Sequence, residues 1–434
     1  MSEFNYFTPT VLQSSITKEQ DVELSTVNVI GPGGNALGPF EFKIPSSTGL
    51  YRDLNSSYIV LKIKVVAANG ADLAADVVLA PSNLALHSLF SNVSVTLGGK
   101  EISDKDSLYA YRAYLETLLT YQDDVLKTRA IAEGWSKDSA GRMNNLQLLA
   151  ADGQPVPNDG FVARQKLLAG SRTFTLLGRP HVDIFHQELD VPPNVEINIT
   201  FTPSTTAFAF IGANANANVK VMVMDAKLYV HTKTVCADLV LAHREMPEKC
   251  PMRPPLNRVL VKKHGIGQGF TSSSITLNFP GKLPKRIFVG FVLNAASTGT
   301  ITENPFNFQN FGLTSIQLTV NGDAMPAAGG LKMDYATGDY QRAYLSTLAA
   351  LGLENGNRSI DLTPSDFASG FNIYGFKVAP GPIDGTVFTA ANSVGSAAID
   401  VTFAAGLVAP IDMIVYAEMP AILEIDKFSG VTIV

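Results

Sequence analysis

The sequence predicts an all-β protein assembled from two tandem β-sandwich or barrel units, each with a short helix inserted between its strands. Three observations carry that expectation. Short runs of alternating apolar and polar residues dominate the chain, bounded by glycine, proline and asparagine. One eight-residue segment is written twice, as RAYLETLL at 112–119 and RAYLSTLA at 342–349, identical at six of eight positions. The strand-like segments around the first copy recur in the same order around the second.

In the first half, YIVLKIKVV (58–66) is a strand set off by Asn55-Ser56-Ser57 and Asn69-Gly70. NVSVTLGGKEI (92–102) reads as two short strands about Gly98-Gly99, a hairpin signal. In YRAYLETLLTY, Tyr111, Tyr114, Leu115, Leu118 and Leu119 fall at i, i+3, i+4, i+7 and i+8, one buried stripe of a helix. Asp106-Ser107 is its expected cap. Strands SRTFTLLG (171–178), VEINITF (195–201) and VKVMVMDAKLYVHT (219–232) follow. The second half offers NRVLVKK (257–263), SSITLNF (273–279), RIFVGFVL (286–293) and SIQLTVNG (315–322). Its helix carries Tyr340, Ala343, Tyr344 and Leu348 on the equivalent stripe, and FNIYGFKV (371–378), AAIDVTF (397–403) and IDMIVYAEM (411–419) come after it.

VSVTLGG (93–99) matches IQLTVNG (316–322), and VEINITF matches AIDVTF (398–403). The chain therefore reads as a duplicated β-rich unit, not a solenoid, which needs three or more stacked repeats. Arg112, Tyr114, Leu115 and Leu118 are expected to correspond to Arg342, Tyr344, Leu345 and Leu348, with the two tyrosines packed on sheet ends. The expected division is 1–235, a proline-rich linker at 236–256 with Pro247, Pro251, Pro254 and Pro255, and 257–434. The first unit is longer chiefly by the polar stretch 133–165, which holds the single Trp135 and reads as an irregular excursion loop.

Composition narrows the function. Charged residues make up 17% of the chain, against roughly 25% in a typical soluble domain, a lean toward surfaces covered by other protein. The net charge is −6, and the first twenty residues carry one basic side chain, Lys18, so no electrostatic footprint for nucleic acid is present. No signal-peptide pattern and no stretch near the ~20 apolar residues of a bilayer span are visible. The reading is a soluble chain made in a reducing compartment. Cys236 and Cys250 match no CxxC or zinc-quartet spacing and are expected to be unpaired. The N-x-S/T triplets at Asn55, Asn92, Asn198 and Asn357 read as chance matches.

Signals of chemistry are few. His87, His181, His186, His231, His243 and His264 show no metal-ligand spacing. His181 and His186, five apart, fit neither a HExxH helix nor a same-face strand pair, and read as ordinary polar positions near a strand end. GPGGNALGPF (31–40) lacks the Gly-Lys-Ser/Thr ending of a phosphate loop. GIGQGF (265–270) lacks a third glycine and a following helix. No GxSxG elbow occurs, and Asp123-Asp124 has no counterpart in the second half. Glu188 and Asp190 are the carboxylates a glycan-cleaving enzyme on paired rolls would use, but nothing in the sequence places them in a cleft. No catalytic, cofactor-binding or metal-binding residue is expected, and no enzyme. The Phe- and Asn-dense segments FNYF, NPFNFQNF (304–311) and FNIYGF (371–376) read as core before subunit contact.

Several segments together resemble one family: LHSLFSNVSVTLGGKEI (86–102), YRAYLETLL (111–119), AGRM (140–143), SRTFTLLGRPHVDIFHQ (171–187), NPFNF (304–308) and VYAEMPAILEID (415–426). They look like the hexon-type major capsid proteins of Polinton/Maverick elements and adintovirus-like DNA viruses, over roughly residues 50–426. The resemblance implies a double jelly-roll, two tandem jelly-roll β-sandwiches. It implies a homotrimer whose six rolls give a pseudo-hexagonal capsomer that tiles an icosahedral virion shell. Its partners would be neighbouring capsomers, a penton and minor capsid proteins. Among long loops only 133–165 would serve as an outer tower. The resemblance supplies no catalytic or metal position. The rival reading is a non-enzymatic carbohydrate- or receptor-binding protein made of two β-sandwich domains.

Overall fold

Alternating apolar residues set the strands, and the strands repeat as pairs of sheets. The computed structural model describes residues 13–433 except 32, 104–105, 149–155, 215–217, 280–281, 327–328 and 380–393. The FNYF segment lies outside these residues. In the first unit the strands are β1 (Ile16–Ser25), β2 (Phe40–Ile44), β3 (Leu50–Ala67), β4 (Phe90–Leu97), β5 (Lys100–Glu101), β6 (Phe174–Gly178), β7 (Ile197–Pro203) and β8 (Val219–Val235). They form the sheets β1-β8-β3-β6 and β2-β7-β4-β5. In the second unit they are β9 (Pro255–Ile266), β10 (Ser272–Leu277), β11 (Arg286–Leu293), β12 (Leu313–Val320), β13 (Asp323–Met325), β14 (Ile373–Lys377), β15 (Ala397–Phe403) and β16 (Ile411–Ile425). These form β9-β16-β11-β14 and β10-β15-β12-β13, the same order strand for strand. Eight antiparallel strands in two facing sheets of this order make a jelly-roll, and the chain is a double jelly-roll.

The repetition extends to register. Leu97 faces Ile197 and Val93 faces Phe201 across β4 and β7. Val320 faces Ala397 and Ile316 faces Val401 across β12 and β15. Both ladders carry a one-residue irregularity at the far end, between Phe90 and Asn92 and between Leu313 and Ser315. A slip of one residue would turn the buried set outward, so the alternation itself pins the pairing. The first core is filled by Phe40, Phe42, Phe90 and Phe201, with Phe40 stacked on Phe201 at 5.2 Å. The second is filled by Ile287, Val289, Phe291, Met413 and Val415 among others.

Four helices matter for the site: α1 (Tyr109–Thr120), α2 (Asp159–Leu168), α3 (Ala237–Lys249) and α4 (Gln341–Leu351). α1 joins β5 to β6, and α4 joins β13 to β14. Three local expectations need correction. The joint holds a helix that was not expected: ADLVLAHREM lacks proline and is rich in good helix formers, so it coils into α3, tied to β3 by Tyr51 Oη and His243 Nδ1 at 2.7 Å. Pro255 opens β9, the strand position where a missing N–H costs least. The Asp106-Ser107 cap is not made: Leu108 precedes α1 without a side-chain bond, and Asp106 pairs with Lys262 instead.

The two rolls exchange parts. The sheet β9-β16-β11-β14 is buried on both faces, which is why RIFVGFVL and IDMIVYAEM read as almost continuous apolar runs. Its inner face lines the second core. Its outer face, with Val259, Val261, Phe288, Val292, Ile414 and Tyr416, packs on α1 of the first roll. In return, the end of β16 and the short strand Val431–Ile433 place Leu423, Ile425 and Val431 in the first core. Asn194 Nδ2 donates to Ser429 Oγ at 2.7 Å at the tip of that hairpin. Leu423→Ala is therefore expected to cost about 2–5 kcal/mol and to lower hydrogen-exchange protection in β4 and β7 of the other roll. Loss of protection confined to β16 would contradict the clasp.

Candidate functional site: the seam between the rolls

α1 is buried on every side except at Thr120, unusual for a helix with charged residues. Its apolar stripe meets the loop NPFNF of the second roll. Tyr114 stacks on Phe306 with centroids 4.3 Å apart and planes at 4°, and it also touches Trp135. Tyr111 meets Phe208, Phe306 and Phe308 edge-on and donates from its hydroxyl to the Pro305 carbonyl at 3.0 Å. Phe308 lies against β11 where a Cβ on Gly290 would sit 2.5 Å from its ring, so that strand position requires glycine. The Phe/Asn segment thus packs as core, in the cluster that fills the seam between the rolls.

The polar stripe of α1 forms a buried ion network. Arg112 reaches Glu116 Oε1 through Nε at 2.9 Å and Asp183 Oδ1 through Nη2 at 2.7 Å. Asp183 also accepts the backbone N–H of Val259 in β9 at 3.2 Å, which carries the network into the second roll. Glu116 Oε2 accepts from His181 Nδ1 at 2.6 Å. Tyr416 Oη stands 3.5 Å from Glu116 and 3.3 Å from Glu418, which in turn accepts from Arg286 at 2.7 Å. Burial alone would raise the Glu116 carboxyl. The Arg112 guanidinium, the His181 bond and the charges of His186 and His181 outweigh it and hold that carboxyl well below the usual range. For Asp183 burial wins over Arg112, and its pKa is raised.

Next to this network, His87 lies against His181, with ring centroids 4.6 Å apart, and its Nδ1 is 2.8 Å from the Tyr109 hydroxyl. Two groups have the composition of a metal site: His87, Glu133 and His181, and Glu116, His181 and His186. Spacing along the sequence could not show either, because the members come from four separate segments. His181 and His186 are members of this network, not isolated polar positions. A second buried knot holds 133–165 in place. Asp138 accepts from Arg164 at 2.8 Å, Asn158 at 2.9 Å and Asn304 of the second roll at 3.1 Å. The stretch expected to be an irregular excursion thus ends in α2 and closes the seam.

The second helix copy has a different setting. Arg112, Tyr114, Leu115 and Leu118 are all buried. Arg342 is exposed, Leu345 is 51% exposed, and Tyr344 and Leu348 are half-buried. Tyr344 donates to the Leu362 carbonyl at 2.9 Å and meets Phe367 edge-on. α4 packs on β14, where a Cβ on Gly375 would stand 2.8 Å from Thr347 Cα. Among the proposed carboxylates, Asp190 is paired with Lys233 at 3.1 Å, and Glu188 is exposed. Cys236 and Cys250 are free thiols. No helix among the described residues is long and apolar enough to cross a membrane. An open depression of about 760 Å³ lies between 141–145 and the second roll, with Arg142, Asn144, Asn307, Gln309, Asn310 and Phe311 on its walls.

No family model matches the chain. It is 25% identical over 367 residues to the uncharacterized protein F54H12.2 of Caenorhabditis elegans, covering 81% of this chain and 83% of that protein. Among solved structures, a chain in the cryo-EM structure of the Sputnik virophage matches 100% of this chain and 91% of its own length, with a TM-score of 0.64 at 12% identity. The Faustovirus major capsid protein matches 96% of this chain and 92% of its own length, with a TM-score of 0.59 at 10% identity. At such identities the likeness is one of fold, the double jelly-roll architecture.

Two expectations follow from the seam. Arg112→Met leaves Glu116 and Asp183 buried without their cation and costs about 3–5 kcal/mol, whereas Arg342→Met changes stability by less than about 0.5 kcal/mol. Urea unfolding of both variants checks the contrast. His87 provides a pH test. Burial is the main cause that lowers its pKa from 6.5 to about 4, against the pull of the nearby Glu133 carboxylate. The native ring is neutral while the unfolded one takes up a proton, so its contribution is complete above pH ~6.5 and lost as pH falls toward ~4, roughly 3 kcal/mol in all. Glu116 and Glu133, whose carboxyl pKa values are lowered, act only below the ordinary carboxylate range. With a chelator present, His87→Gln should flatten the fall of the unfolding midpoint between pH 6.5 and 4.5, and an unchanged slope would contradict this account.

Proposed function

We propose that this chain is a major capsid protein of the Polinton/Maverick and adintovirus-like kind. Three copies form a pseudo-hexagonal capsomer, and capsomers tile an icosahedral virion shell assembled inside the host cell. The observation that carries the reading is the pair of rolls with identical strand order, held as one body by reciprocal exchange across the seam. A threefold object can pack like a sixfold one only if its two rolls keep a fixed relation. The match to the Faustovirus major capsid protein along 96% of the chain supports the reading, since it spans both rolls together. The division into rolls at 1–235 and 257–434, joined through 236–256, belongs to the same proposal.

The surface is consistent with contacts between copies. Phe270, 57% exposed, and Val408, 90% exposed, stand on adjoining loops joined by the Leu407 N–H to Phe270 carbonyl bond at 3.2 Å. Apolar groups placed together at loop tips suit burial against a neighbour. The role is structural and non-enzymatic. Its partners are further copies, neighbouring capsomers, a penton and minor capsid proteins, without sequence-specific binding of nucleic acid. A carbohydrate- or receptor-binding role is the second reading, supported by the Asn-rich depression beside Phe311.

Light scattering on a sizing column should give a mass near three times the 46.4 kDa chain, or larger shells visible by electron microscopy. Phe270→Asp combined with Val408→Asp should shift the assembly toward smaller species. A monomer at all concentrations, together with specific retention on a glycan array, would favour the second reading.

A further inference from the structure

Buried polar atoms without partners are uncommon in folded chains, and three of them converge beside α1. His87 Nε2, His181 Nε2 and Glu133 Oε2 are fully buried and have no hydrogen-bond partner among the described residues. His87 Nε2 and Glu133 Oε2 are 3.5 Å apart, long for a hydrogen bond. One ligand atom from each of His87, Glu133 and His181 lies within 4.8 Å of the others.

The opposite sides of both rings are engaged. His181 Nδ1 is bound to Glu116 Oε2 at 2.6 Å, and His87 Nδ1 to the Tyr109 hydroxyl at 2.8 Å. Tyr109 also accepts the backbone N–H of His181 at 3.2 Å, which links the two rings. An imidazole whose Nδ1 is held by a carboxylate or hydroxyl while Nε2 is bare has the orientation that outer-shell groups give to metal ligands. The donors come from the helical turn Ala85–Ser88, the residue after the turn Arg129–Ala132, and the segment after β6. Their convergence is a product of the tertiary fold.

Charge supports the same conclusion. Glu116, Glu133 and Asp183 are enclosed with one guanidinium, Arg112, so buried carboxyls are in excess of buried guanidinium groups. Unpaired buried charge is costly, and one divalent cation removes the excess.

We propose that His87, His181 and Glu133 bind one divalent transition-metal ion, with Glu116 and Tyr109 orienting the two rings. Two imidazoles and one carboxylate suit zinc. The ion has a structural role: it fastens α1, through Glu116, to the turn at His87 and the segment at His181.

The test uses the full chain. Metal content of protein purified without chelator is measured by plasma mass spectrometry, and chelator-stripped protein is refolded with and without Zn²⁺ alone. One zinc per chain is expected, with an unfolding midpoint that rises with zinc and falls on chelation. His87→Gln and Glu133→Gln should weaken zinc binding by about tenfold or more, while His186→Gln leaves it unchanged. A folded wild-type chain that retains no stoichiometric zinc and gains no thermal stability overturns the proposal whatever the variants do. So does zinc that persists in both His87→Gln and Glu133→Gln, or that is lost only in His186→Gln.

Discussion

The Arg112 guanidinium sits buried between two carboxylates in the seam, and the relation of the two rolls depends on it. A helix carrying Arg112 and Glu116 would ordinarily turn those residues to solvent. Here it is covered on the other side by a complete β-sheet. Burial of those charges is tolerable because each finds a partner: Glu116 within the helix, Asp183 from the segment after β6, and the Val259 amide from the second roll. Such a network adds little net stability over an apolar substitute, but it is unforgiving of displacement. A shift of one roll against the other by an ångström would leave buried charge unpaired. The seam therefore specifies geometry more than it supplies energy.

That specificity suits a body that must be rigid. Two jelly-rolls joined only by a tether would sample many orientations. Here α1 covers the outer face of the second roll, and the C-terminal hairpin enters the first core. Each roll is incomplete without a piece of the other. The Asp138 knot adds a third fastening through Asn304. Segments that look like short irregular connections in the sequence therefore serve as the fasteners.

Much of the fold was legible because it depends on local period. The alternation in VSVTLGG and IQLTVNG fixes which residues face inward, and β4 and β12 bury the same positions along their length. The turn glycines and the inserted helices follow from the same signal, whereas the jelly-roll arrangement of the strands was implied by the family resemblance alone. The site was not legible, for a physical reason. His87, Glu133, His181 and Glu116 belong to four segments that only the tertiary fold brings together, and spacing rules presume ligands on one helix or hairpin. The helix within the joint was not legible because the four prolines there outweighed the ten proline-free residues that begin α3. The Asp106-Ser107 cap was misread because a tertiary ion pair with Lys262 competed for the carboxylate.

The two copies of the helix segment hold equivalent places in the strand order but differ in what surrounds them. Two positions of eight differ between RAYLETLL and RAYLSTLA: Glu116 against Ser346, and Leu119 against Ala349. Glu116 is the acid that holds Arg112 four residues earlier and receives His181. Ser346 takes the same place in α4 and donates to the Gly375 carbonyl at 2.7 Å. Without an acid at that position, Arg342 has no partner one turn away, and it lies in solvent. Leu119 is buried at the seam, whereas Ala349 is only half-buried. The six identical residues serve the shared task of placing a helix between the fifth and sixth strands of a roll. The two that differ fall where the surroundings differ: Glu116 and Leu119 belong to the buried seam, while Ser346 and Ala349 lie on a half-buried helix.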